Sequence, residues 1–235
     1  MEKINAFQVS KGWYYALTAM LVVVLLFSLA DTMGIGSVNT YIQIKVHESI
    51  DNIMEYLNLQ TVLGYLSTFC YIVIYLLFIV VYSKYALVSR QQSAGISVGF
   101  WVLVLFSVLT LLHTLCYPIM TVFIASTGDY DLVSKGFEAL SLTGNIIFVI
   151  RSLAILVLGV ALVVVGLGRL RTGGILVAIA MVCALLYFPL RFVWDKLAPS
   201  DLMLLSSLFN IVVYSLVNIV LVVGLLRMYR RSDVQ

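Results

Sequence analysis

Charge is what this chain lacks. No Asp, Glu, Lys or Arg occurs between Lys11 and Asp31, Glu55 and Lys84, Arg90 and Asp129, Arg171 and Arg191, or Asp201 and Arg227. A sixth apolar stretch, Leu140 to Gly168, is interrupted only by Arg151. Each holds about the 20 apolar residues that an α-helix needs to cross a bilayer. Charged residues make up 11% of the 235 residues, against roughly 25% in a soluble globular chain. That scarcity leaves no room for a soluble domain of any size. The net charge of +3 has no meaning as a global field, because the charges are segregated by side.

Other absences narrow the chemistry. The three cysteines, Cys70, Cys116 and Cys183, all fall in apolar stretches. An odd number without a CxxC spacing argues against a disulfide framework or a zinc site, and they read as small buried residues. There is no HExxH, GxSxG, P-loop or GxGxxG, and no paired carboxylate inside a span. No span carries a lysine for a retinal Schiff base. A membrane protease, lipid hydrolase, ATPase or rhodopsin is therefore unsupported, and the chain reads as non-enzymatic. His113 is the only histidine in a span, and His47 lies outside them, so a transmembrane b-type haem lacks its second ligand. No cofactor, metal or nucleic acid is expected.

What is present is hydrophobicity, with 63% apolar residues and a mean hydropathy of +1.10. Backbone polar groups cannot stay unpaired in lipid, so the apolar stretches are helices. The expected fold is all-α: a polytopic membrane bundle, residues 1–235 forming a single integral-membrane domain. Its six spans are placed at about 12–33, 56–82, 97–125, 140–168, 173–194 and 202–229. The start of the chain also resembles a secretory signal, with Ser28-Leu29-Ala30 as a cleavage site, but the run from Gly12 to Ala30 is long enough to span and reads as a retained helix. Trp13, Tyr14, Tyr15 and Trp194 suit an aromatic interface belt.

Lys and Arg in the loops alternate by side. Lys3, Lys11, Lys84, Arg90, Arg169, Arg171, Arg227, Arg230 and Arg231 fall on one side; the other carries Lys45, Lys135 and Lys196 with most of the acids. Excess Lys and Arg mark the cytoplasmic face, so both termini are expected there, in a cell membrane, with an acidic outer face. Between the first two spans, Val38, Ile42, Val46, Ile50, Ile53 and Leu57 recur at helical spacing with polar residues between them. This predicts an extra amphipathic helix on the outer side, about 38–57, able to lie on the membrane or dock on a partner.

Weaker patterns accompany these. Pro118 and Pro189 sit near the outer ends of spans three and five and should each free a helix carbonyl. Val165-Gly166-Leu167 and Val223-Gly224-Leu225 repeat before the basic ends of spans four and six, a hint of repeated hairpins. Gly95 and Gly99 form a GxxxG packing motif.

The candidate site is Arg151. It lies about ten residues into its span, about 15 Å deep by helical rise, where a charge costs at least about 2.5–3.5 kcal/mol. Asn210 is expected at similar depth, with Asn145, His113 and Tyr117 also in the outer half. Two readings compete: an anion-binding or ion-coupling pocket open to the outside, or an internal clamp in which Arg151 is fully bonded. Arg191 and Asp195, four apart, read as a structural ion pair along one helix. Asp31 reads as a solvated residue at the end of the first span, within possible reach of Arg151 or Arg191. Tyr71, Tyr75 and Tyr82 share one face of span two, read mainly as packing.

The thin polar content and the outer helix favour an accessory or scaffold subunit of a larger membrane complex, its partners being the bilayer and other membrane subunits or itself. The alternative is a small-solute or ion transporter with an outward pocket at Arg151. A weaker one is a lipid- or quinone-binding protein using the tyrosine face. A solvated cavity around Arg151 would favour transport; a dry, fully paired Arg151 with lipid-free apolar outer faces would favour the subunit.

Overall fold

The computed structural model describes residues 4–38, 53–127, 130–197 and 203–232. A short strand β1 (Phe7–Val9) leads into helix α1 (Lys11–Leu29), which widens into a π-helical turn over Ala30–Ile35. There follow α2 (Ile53–Ser89), α3 (Ala94–Thr127), α4 (Tyr130–Val165), α5 (Gly168–Leu197), α6 (Met203–Arg227) and a second short strand, β2 (Tyr229–Arg231). Among the described residues six helices are long and apolar enough to cross a membrane. The chain is an all-α integral membrane bundle.

Each helix packs on its sequence neighbours, and α1 closes the ring onto α6. Short connections make this the economical arrangement, since antiparallel neighbours need only a few linking residues. The turn between α4 and α5 holds only Gly166 and Leu167. Gly168 adopts φ +47° there, a conformation that any Cβ would strain. Large apolar side chains such as Val157, Val164 and Leu186 point outward, the surface that lipid covers in a membrane protein.

The helices overrun the expected spans. The second runs to Ser89 rather than 82 and the fourth begins at Tyr130 rather than 140. Bilayer thickness limits the apolar core of a helix, not the polar turns that continue it into water. The fourth ends at Val165, short of Gly168, because Gly166 and Gly168 make the turn. Of the expected amphipathic helix at 38–57, residues 39–52 lie outside the described residues; α2 already includes its last turn.

Glycine sets the spacing of the last three helices. A Cβ on Gly174 would stand 2.9 Å from the Gly159 carbonyl oxygen, and one on Gly173 would stand 2.7 Å from that of Gly224. So α5 presents one glycine to each neighbour, and backbones approach closely, the packing that membrane helices use where lipid removes the hydrophobic drive. Of the GxxxG pair, only Gly99 is used: a Cβ there would meet Leu158 at 2.8 Å, whereas Gly95 has open space.

One element is absent from the expectation. The N-terminal segment folds back over the basic end of the bundle. β1 pairs in parallel with β2, Phe7 opposite Tyr229 and Val9 opposite Arg231. Ile4 bridges to Gly166, with the Leu167 N–H donating to the Ile4 carbonyl at 2.7 Å, and the Leu170 N–H donates to Asn5 at 2.8 Å. Phe7 is fully buried; its ring lies 5.8 Å from Tyr85 and 5.9 Å from Phe100. The Tyr85 hydroxyl donates to the Leu225 carbonyl at 2.8 Å. This hook ties α2, α3, the α4–α5 turn and the end of α6 together and closes that end of the ring.

Candidate functional site

The opposite half of the ring is not filled. A cavity of about 440 Å³ lies on the bundle axis, lined by side chains from α1, α2, α4, α5 and α6 and the π-helical turn. Its polar wall includes Asp31, Tyr71, Tyr75, Asn145, Arg151, Arg191 and Asn218; Phe78, Phe148 and Phe188 supply an apolar wall. The volume is in the range of small-molecule sites. Two further cavities share walls with it. One, toward α3, adds His113, Tyr117 and Ser141; the other, toward α5 and α6, adds Gln60 and Asn210.

Arg151 reaches across the ring from α4 to α2. Its guanidinium lies over the Tyr75 ring, 5.1 Å from the centroid. The ring face answers part of the charge. Its Nε, however, is buried and has no hydrogen-bond partner. An unbonded buried donor on an ionised group costs more than an unbonded neutral one, so the clamp is incomplete. Tyr71 stacks on Tyr75, centroids 6.2 Å apart and planes 16° apart. The tyrosine face of span two is therefore the floor under Arg151 as well as packing.

Asp31 is the residue that sequence reasoning undervalued. It is buried, 8% exposed, rather than solvated. The first helical stretch continues to Val38, so Asp31 sits inside the helix, on the π-helical turn. Such turns reposition side chains and recur at functional sites. The Ser67 hydroxyl donates to its carboxylate at 2.5 Å. The signal in the sequence was Ser67, three and four positions before Cys70 and Tyr71 on the same polar side of span two, but partners on different helices cannot be paired from spacing.

The five candidates do not gather at one point. Arg151, Asn145, His113 and Tyr117 line one cavity, whereas Asn210 lies across the ring and hydrogen-bonds Tyr187 on α5. Similar depth did not make Arg151 and Asn210 partners, because α4 and α6 are separated by α5. His113 bonds through Nε2 to the Leu140 carbonyl at 2.9 Å; a carbonyl only accepts, so Nε2 carries the proton. Its ring meets Tyr117 edge-on at 5.3 Å. The expected Arg191–Asp195 pair lies outside the described residues, as the Asp195 side chain is not among them; Arg191 itself is exposed at the cavity rim.

Polar links tie the helices around the cavity. Ser67 to Asp31 joins α2 to the end of α1, Thr32 to Ser215 joins it to α6 at 3.0 Å, Tyr187 to Asn210 joins α5 to α6, and His113 to Leu140 joins α3 to α4. In a membrane each such bond contributes about 0.6–2 kcal/mol. Among the described residues no group of three His, Cys, Asp or Glu is placed to hold a metal. Comparison with protein-family models, curated proteins and solved structures returns no match for this chain.

Proposed function

We propose that this protein binds a small polar solute in the axial cavity from the acidic side of the membrane, as the receptive half of a transport cycle. The observation that carries this reading is the cavity with Arg151 on its wall and the Arg151 Nε unbonded. A scaffold subunit gains nothing from holding an incompletely bonded cation about mid-span, where a charge costs several kcal/mol. The hook over the other end supports the same reading, since a path sealed at one mouth and hollow at the other has the asymmetry of one state of an alternating cycle. The excess of Lys and Arg at the hooked end supports its assignment to the cytoplasm, so the cavity faces outward, at the cell membrane.

The test is solvent access. In a background with Cys70, Cys116 and Cys183 replaced by alanine, Asn145→Cys is exposed in sealed vesicles to a charged, membrane-impermeant thiol reagent, with Lys135→Cys as the surface control. Labelling of both from the same side is expected. Labelling of Lys135→Cys alone means a dry interior and overturns the reading. Purification of the chain from its own membrane in mild detergent then addresses the accessory-subunit alternative: stoichiometric co-purifying proteins would favour it, a lone monomer or homo-oligomer would sink it.

A further inference from the structure

Three charged side chains line the axial cavity, Asp31, Arg151 and Arg191; Arg191 stands at the exposed rim, and the two deeper ones, Asp31 and Arg151, do not answer each other. Asp31, on the π-helical turn after α1, takes its hydrogen bond from the Ser67 hydroxyl. Arg151, on α4, is answered by the face of the Tyr75 ring. Both line the one axial cavity. Neutral partners satisfy hydrogen bonding but do not neutralise charge, and in a low-dielectric interior that leaves each group attractive to an opposite charge.

This arrangement selects by repulsion as well as attraction. A simple anion drawn to Arg151 enters a space that holds the Asp31 carboxylate, and a simple cation drawn to Asp31 enters one that holds Arg151. A like-charge encounter at short range in such a site disfavours either. A solute carrying both charges satisfies both. The ring faces of Tyr71 and Tyr75, stacked along α2, together with Phe78 on the same helix, Phe148 on α4 and Phe188 on α5, offer an apolar sleeve for the atoms between the two charges.

Resting on the solute-binding reading above, we infer that the ligand of the axial cavity is a small zwitterion, its anionic group on the Arg151 guanidinium and its ammonium group on Asp31. The same chemistry occurs in free amino acids and in the ethanolamine headgroup of lipids.

The experiment is a thermal-unfolding series on the full chain in detergent. The probes are ω-amino carboxylates from glycine to 6-aminohexanoate, phosphoethanolamine, and the singly charged controls propionate and propylamine. At saturation one or more zwitterions should raise Tm by about 3 °C or more, the controls by less than about 1 °C. Arg151→Gln and Asp31→Asn should each reduce the zwitterion shift to the control level. If either variant fails to assemble, Arg151→Lys and Asp31→Glu replace them and should each weaken the shift. A shift from an ω-amino carboxylate assigns the site to a free solute, and one from phosphoethanolamine alone to a lipid headgroup. Propionate or propylamine matching the best zwitterion overturns the inference and leaves the solute-binding reading standing. No shift with any probe overturns it too; only if Asn145→Cys is also unlabelled does the cavity reading fall with it.

Discussion

The guanidinium of Arg151 lies 5.1 Å from the centre of the Tyr75 ring, on a helix that is not its neighbour in the ring. The contact spans the bundle axis and makes α2 and α4 share one polar centre.

Removing the ring should therefore be felt at Arg151. Cation–π contacts contribute about 0.5–2 kcal/mol when desolvated. Tyr75→Leu is expected to lower the unfolding free energy in detergent by about 1–2 kcal/mol, and Tyr75→Phe by less, because it keeps the ring face. Equal losses for the two would place the whole effect in the hydroxyl.

The hook should be structural and large in effect. Phe7 is fully buried between Tyr85 and Phe100, and truncating a buried Phe costs about 3–5 kcal/mol. Phe7→Ala is expected to reduce Tm in detergent by several degrees. In the cysteine-free background, Gln8→Cys with Arg230→Cys, register partners in the parallel pair, should cross-link under mild oxidation; failure to cross-link would remove the hook from the protein in solution.

Glycine substitutions should separate contact from motif. Gly174→Leu places a side chain against the Gly159 backbone, and overpacking costs about 1–3 kcal/mol. Gly95→Leu meets open space and should be neutral within about 0.5 kcal/mol. Thermal melts of the two variants, measured side by side, provide the comparison.

Topology is checked by thiol labelling at Ser134 and Ser232. In intact cells Ser134→Cys should react with an impermeant reagent and Ser232→Cys only after permeabilisation. Reaction of both from the same side would refute the three spans between them.

The spans were legible because lipid imposes a composition: charge-free runs and sided loops needed only counting. Arg151 was legible for the same reason, as the one charge inside a run. Asp31 was not, because its depth depends on how far past the apolar run the helix continues, and polar turns cost nothing in water. The pairing of Tyr75 with Arg151 and the separation of Asn210 from it were also illegible, since both follow from the order of helices around the ring. Phe7 gave no signal at all: a three-residue strand has no period to read, and its partner, Tyr229, lies at the far end of the chain.

That last pairing has a bearing on biosynthesis. Phe7 emerges from the ribosome early, yet its strand partner follows more than two hundred positions later. During insertion the first helix must enter the membrane with the segment before it unpaired and an aromatic side chain uncovered. Sealing of the basic end is thus a late event, completed when α6 has been delivered beside α1, and a nascent chain stalled before Tyr229 should expose Phe7 to protease or chaperone while the earlier spans are already in place.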